Sequence, residues 1–494
     1  MKGCTSPALV FGLVLPQLGL AQKILDGVVQ WNIQKRHAST IPNRLPRRAG
    51  STYDAILRNE RLQGGYYTDC EMGTPGQKVT LQLDTGSSDI WVPDSATSVC
   101  EDNGCQFGSF DPGSSSTFKL VGKDQFSINY VDKSGANGDY FTDVFKIGGV
   151  AVKNLTMGLG VDTDIPQGVA GIGYPNNEAT ANGYGKYPNL AVSMADEGLI
   201  KSMAYSLWLN DLDASQGSIL FGGIDTKKYK GDLTRIKIYP AVNGEYFAFI
   251  VALTSLHAVS SSGNDTLTSK SFPIPVVLDS GTTLSYLPQD IVQQVWYEVG
   301  ADYDDRFGMA VLPCSKQKTD GYFSFGFAGP NGPRINVRMD ELVLDLTTGS
   351  PPKFTSGRYK GQEMCEFGIQ TLGSSDGPFL LGDTFLRSAY VVYDLVNNEI
   401  ALAETQFNST GSNVVAFASM GAPIPSATQA PNQAAVTMKP EVTTPAYSAS
   451  DGFGDDGDEN ASSGMPSAFG LAQMSVMGVA MLFTMIGSGV FVVL

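Results

Sequence analysis

From Gly65 onward the chain is dominated by short runs in which apolar and polar residues alternate, separated by clusters of Gly, Pro, Asn and Asp. Such runs bury one face of a strand and leave the other wet, so the pattern predicts an all-β fold with a few short helices. Helical periodicity is confined to segments near Leu190 to Glu197 and Asp290 to Val299. TDCEMGTPGQKVTLQLDTG predicts two strands joined at Gly73-Thr74-Pro75-Gly76, and FSINYVDKSGANGDYFTDVFKIGG, residues 126 to 149, predicts a hairpin.

One strand breaks in an unusual way. In LQLDTGSSDIWVP, residues 81 to 93, Leu81 and Leu83 alternate with polar neighbours until Asp84-Thr85-Gly86, after which Ile90 and Trp91 restore an apolar face. A carboxylate buried at such a turn costs on the order of several kcal/mol unless donors surround it, and Thr85, Gly86, Ser87 and Ser88 supply hydroxyls and close backbone amides. The same order recurs 195 positions later in PVVLDSGTTLSYLP, with Asp279-Ser280-Gly281-Thr282-Thr283 between Leu278 and Leu284. One isolated DTG reads as an Asx turn at a strand end; two in matching apolar contexts read as half-sites facing each other. A second repeated pair, GVAGIGYP around Gly171 and PFLLGDTFL around Gly382, follows the two aspartates. Together the repeats predict two homologous lobes that meet near residues 236 to 243.

On these motifs the chain resembles the pepsin-like aspartic endopeptidases from about Tyr66 to about Glu404. The resemblance implies a bilobal double β-barrel with pseudo-twofold symmetry and a central cleft, the first lobe over residues 49–237 and the second over 238–405. It implies that Asp84 and Asp279 are the catalytic pair, that Ser87 and Thr282 bond their outer oxygens, and that Thr85 and Ser280 lock the two loops together beside Gly86 and Gly281. It makes the hairpin a flap over the substrate, with Tyr130 as the flap tyrosine meeting the indole of Trp91. Asp132 and Gly138 fit the flap pattern, whereas Val131 and Lys133 stand where the family usually has glycine. The resemblance also pairs Cys100 with Cys105 and Cys314 with Cys365. Cys70, in an alternating run, reads as a small buried apolar residue.

Composition narrows the setting. The 494 residues hold 33 Lys and Arg against 49 Asp and Glu, a formal charge of -16, which argues against nucleic acid as a partner because phosphate contacts require basic clusters. With 42% hydrophobic residues, 56 Gly and 26 Pro, the chain suits a turn-rich β protein. Residues 1–21, with Lys2 and an apolar run from Ala8 to Leu20, predict a secretory signal peptide. Residues 22–48 carry Lys23, Lys35, Arg36, Arg44, Arg47 and Arg48 against Asp26 alone, and predict a propeptide held on an acidic body by charge and cut at a dibasic pair. Residues 406–460, rich in Ser, Thr, Ala, Pro and Gly, predict a disordered stalk. Small residues at 460 to 462 followed by an apolar tail to Leu494 predict a glycosylphosphatidylinositol signal, with Asn460 as the favoured attachment site, Ser462 or Ser463 as alternatives, and 461–494 removed for attachment at Asn460. A membrane-spanning helix is the competing reading of that tail. Asn154, Asn264 and Asn408 stand in glycosylation sequons of an exported protein.

Two carboxylates forced together share a proton, which suits acid and base work on one bridging water without metal or organic cofactor. The sequence has two His and no HExxH. The expectation is therefore a cell-surface aspartic endopeptidase acting on proteins and peptides at acidic pH, monomeric, and laid out like the fungal yapsin-type surface proteases. The rival is a pepsin-like surface binding protein that has lost catalysis.

Overall fold

The computed structural model describes residues 26–36, 65–130, 133–180, 184–214, 216–241, 243–347, 349–372, 378–431, 433 and 441–454. The signal peptide, most of the basic segment, Asp132, Asn460 and the apolar tail lie outside these residues.

Alternation becomes strands as expected. Strand β1 spans Val29–Arg36, β2 Gly65–Met72, β3 Gln77–Asp84, β4 Ile90–Pro93, β5 Lys119–Asn129, β6 Gly135–Ile147, β7 Val150–Thr163 and β8 Gly168–Gly171. On β3 the side chains of Val79, Leu81 and Leu83 enter the core while Gln77, Lys78, Thr80 and Gln82 stay partly or wholly in solvent, the period of two that one buried face requires. β2 and β3 pair antiparallel from Tyr67↔Gln82 to Met72↔Gln77. The central strands are buried on both faces and read as continuous apolar runs, as in β4 and in Ala389–Asp394.

A large sheet runs through both halves. Its order places β5, β6, β7, β4, β8, β3, β2 and β1 side by side, then the strands Gln216–Phe221, Ala204–Trp208, Ala389–Asp394, Glu399–Thr405 and Tyr229–Lys237. The second half adds a sheet built on Ile250–Ser260, Ile274–Leu278 and Phe379–Leu381, and a four-stranded sheet over residues 302–304, 309–313, 364–367 and 343–345. The longest helices are Gln289–Val299 and Leu190–Asp196, close to the two segments with helical periodicity. The architecture is mostly β, with a closed barrel and further sheets.

Two sequence readings need correction. The basic segment was expected to be held by charge, but its described part forms an interior strand: β1 pairs with both Gln216–Phe221 and β2, burying Val29, Trp31 and Ile33. Apolar burial and a backbone ladder hold it, and Lys35 donates to the Leu212 carbonyl at 2.8 Å. The basic side chains of the segment hid this short alternation.

The expected disordered stalk is likewise fastened to the body through residue 431 and again over 441–454. Val414–Ala416 pairs with Gly223–Asp225, and Ala427–Gln429 pairs in parallel with Leu233 to Arg235. Asp225 accepts from the Asn413 N–H at 2.8 Å and Ser412 Oγ at 2.7 Å. Phe417, Ile424, Ala449 and Phe453 are buried. Phe453 stacks on Phe323 at 5.4 Å and receives Lys316 Nζ on its carbonyl at 2.6 Å. A few well-placed apolar residues thus override a composition that, averaged over the segment, predicts disorder.

Candidate active site

Each aspartate turn ends a strand that runs parallel to a partner from far along the chain. β3 pairs with β8 from Leu81↔Gly168 to Asp84↔Gly171, while β4 returns antiparallel on the other side of β8. In the second half Ile274–Leu278 lies parallel to Phe379–Leu381, and Ser285–Tyr286 returns antiparallel. The turns are crowded by the glycines at the ends of these partners. A Cβ on Gly171 would stand 2.6 Å from the Asp89 carbonyl oxygen, and one on Gly382 would strike the carbonyls of Thr282 and Leu284. Only glycine fits either place.

The two turns bond their own carboxylates in the same way. Gly86 N–H donates to Asp84 Oδ1 at 2.7 Å, with Ser87 N–H at 3.2 Å, and Ser87 Oγ donates to Oδ2. Gly281 N–H donates to Asp279 Oδ1 at 2.8 Å and Thr282 Oγ1 to Oδ2 at 2.8 Å. Across the junction Thr85 N–H donates to Ser280 Oγ at 3.2 Å and Ser280 N–H to Thr85 Oγ1 at 3.0 Å. The two hydroxyls donate onward to the carbonyls of Leu278 and Leu83, at 2.9 and 3.2 Å.

This lock sets the carboxylates face to face. A Cβ added to Gly86 would lie 2.7 Å from Asp279 Oδ1, and one added to Gly281 would strike Asp84 Oδ1 while standing 3.2 Å from Asp279 Oδ1. Each glycine leaves room for the opposite carboxylate. Asp84 is 5% exposed and Asp279 9%. Burial, and then the negative charge of Asp279, push the Asp84 carboxyl above the ordinary carboxylate range, with the Ser87 hydroxyl and Gly86 N–H pulling it back. Such a pair can hold one proton between two acids and so offer a base and an acid side by side.

The hairpin of β5 and β6 begins earlier than the sequence suggested, at Lys119, and turns between Tyr130 and Ser134. Trp91 Nε1 donates to the Tyr130 hydroxyl at 2.8 Å. Disulfides join Cys100 to Cys105 and Cys314 to Cys365, while Cys70 is a free, buried thiol on β2. The sequon residues Asn154, Asn264 and Asn408 are exposed.

Sequence reasoning missed residues that brace the turns from outside the motifs. Gln82 Nε2 donates to the Gly281 carbonyl at 3.2 Å, and Asn177 Nδ2 to the Gly86 carbonyl at 3.0 Å. Gln82 carried one signal, a polar position on the strand that delivers Asp84; Asn177 carried none.

Residues 65–405 match the family model described as eukaryotic aspartyl protease. The chain is 43% identical over 419 residues to a probable aspartic-type endopeptidase, opsB, of Aspergillus fumigatus, covering 83% of each chain. It is 37% identical over 370 residues to an acid protease of Saccharomycopsis fibuligera, covering 73% of this chain and 86% of the relative. It is 32% identical over 466 residues to aspartic proteinase 3 of Saccharomyces cerevisiae, covering 78% of this chain and 77% of the relative.

Proposed function

The chain belongs to the eukaryotic aspartyl protease family, and from that premise we propose that it hydrolyses internal peptide bonds of proteins at acidic pH, with Asp84 and Asp279 as the catalytic pair. The observation that carries this reading is the matched bonding of the two turns, which aims both carboxylates at one point. The ionised member takes a proton from a water between them; the water oxygen attacks the peptide carbonyl, and the protonated member donates to the carbonyl oxygen. Collapse of the tetrahedral intermediate breaks the C–N bond: the carboxyl that took the water's proton passes it to the leaving nitrogen, and a hydroxyl of the intermediate returns a proton to the other carboxylate. General acid and base action supplies about 10² to 10⁴ in rate, so positioning an extended peptide under the flap formed by β5 and β6 must supply much of the rest. Tyr130, held by Trp91, is the flap residue that meets substrate.

The same reading places the enzyme in the secretory pathway and at the cell surface. Removal of residues 1–21 starts that route, N-glycans attach at Asn154, Asn264 and Asn408, and a lipid attaches at Asn460. Of the two dibasic sites, Arg47-Arg48 is the processing site. Lys35-Arg36 ends β1 with Lys35↔Tyr66 and Arg36↔Gly65 paired in the sheet, a poor substrate for a processing protease. Digestion of an unfolded protein at acidic pH, with and without pepstatin, tests the function: pepstatin-sensitive cleavage is expected, and a pure protein that cuts nothing is the binding-protein rival.

A further inference from the structure

The turn that carries Asp84 holds a second carboxylate five positions on, Asp89, which has no exposed surface. Laying one aspartate turn on the other, Asp84 on Asp279, Ser87 on Thr282 and Trp91 on Tyr286, sets Asp89 opposite Leu284. Leu284 and Tyr286 pack in an apolar cluster with Val277, Leu344 and Leu380. A buried leucine therefore satisfies the equivalent turn of the second half. The carboxylate in the first half, costly to bury, needs a reason outside the turn.

Three donors from other elements converge on it. Tyr140 and Tyr187 both donate their hydroxyls to Asp89 Oδ1 at 2.7 Å, and the Ala179 N–H donates to Oδ2 at 2.7 Å. Tyr140 lies on β6, the returning strand of the hairpin; Ala179 and Tyr187 lie in the connection that leaves β8. Tyr140 meets Phe126 of β5 edge-on at 5.4 Å, and Phe126 lies 6.1 Å from Trp91, the residue that holds Tyr130. Tyr184 stacks on Tyr140 at 4.5 Å. The other charged neighbours are Glu178, which accepts from the Tyr187 N–H at 2.9 Å, and Lys186, which faces Glu178.

The geometry points to Asp89 as a positioning residue for peptide hydrolysis: its carboxylate roots the hairpin and the segments around Ala179 and Tyr187 on the catalytic turn, keeping Tyr130 in register with the aspartates. The inference rests on the reading of the hairpin as a substrate flap. Burial raises the Asp89 carboxyl and the three donors oppose that rise, so the cluster is built around an acceptor.

A double-mutant cycle on kcat/KM tests it, using a peptide substrate at acidic pH with the wild type, Tyr130→Phe, Asp89→Asn and the double variant. Each single change is expected to lower kcat/KM by about tenfold, with the same division between kcat and KM, because both loosen one flap. The double variant is expected to fall no more than about threefold below the worse single one. Losses that multiply in full, or an Asp89→Asn enzyme with wild-type kcat/KM, overturn the inference and leave the flap reading standing. An unchanged kcat/KM in Tyr130→Phe removes the flap reading and this inference with it. If Asp89→Asn does not fold, the pair Tyr140→Phe and Tyr187→Phe replaces it in the cycle, since it keeps the carboxylate and deletes only hydroxyls.

Discussion

Thr85 and Ser280, 195 residues apart, exchange hydrogen bonds: the backbone N–H of each reaches the hydroxyl of the other, at 3.2 and 3.0 Å. Thr85→Val keeps the shape and deletes the hydroxyl, leaving the buried Ser280 N–H and Leu278 carbonyl without this partner. Each orphaned group costs about 1 to 3 kcal/mol. Urea unfolding is expected to show a loss of about 2 to 6 kcal/mol. A loss near zero would mean that the two turns are held by packing alone.

Asp279→Asn keeps the size of the side chain and removes its ability to exchange a proton. Cleavage is expected to fall by at least about 10² to 10⁴ in kcat, with the thermal midpoint retained. Losing the neighbouring charge also removes one of the two main causes that raise Asp84. Its carboxyl, followed by isotope-edited NMR, is therefore expected to titrate at lower pH in the variant than in the wild type.

Two carboxyls outside the dyad tilt stability with pH. Burial pushes Glu178 up to about 9 and Glu298 up to about 8, from an ordinary 4.5. Between 4.5 and those values the folded chain keeps protons that the unfolded chain releases, so stability is full below 4.5 and is lost as pH rises through the folded values. Asp304, lowered mainly by Arg306, works in the opposite sense and loses its contribution as pH falls below its ordinary 3.8. The thermal midpoint is expected to peak in mild acid and fall toward pH 8, and Glu178→Gln is expected to flatten that fall. A midpoint that rises between pH 5 and pH 8 would contradict this.

The C-terminal strap gives a further prediction. Phe453 is fully buried against Phe323 and Gly321, so Phe453→Ala is expected to cost about 3 to 5 kcal/mol in chemical unfolding of the intact chain. A segment that merely trails from the body would lose nothing on that change.

These residues also show what could be read from the sequence and what could not. The aspartate turns were legible because the device occurs twice, and the second occurrence turns a common tripeptide into a paired site. The hairpin was legible from its alternation, though its first strand extends back to Lys119 because Leu120 and Val121, both exposed, break the pattern. β1 was obscured because its apolar residues Val29, Trp31 and Ile33 sit in a basic context. Asp89 was obscured because a buried acceptor and a solvated aspartate share one letter. Its only sequence signal was a mismatch, Asp against Leu284, at equivalent places in the two turns.

The strap also shortens the leash. Were a lipid joined at Asn460, as proposed, its attachment point would stand six residues beyond Gly454, the last described residue, not the fifty or so of the expected stalk. At about 3.5 Å per extended residue, six residues span at most about 20 Å. An enzyme tethered in the proposed way would work in a thin layer above its own membrane, and proteins would have to come down to it to be cut.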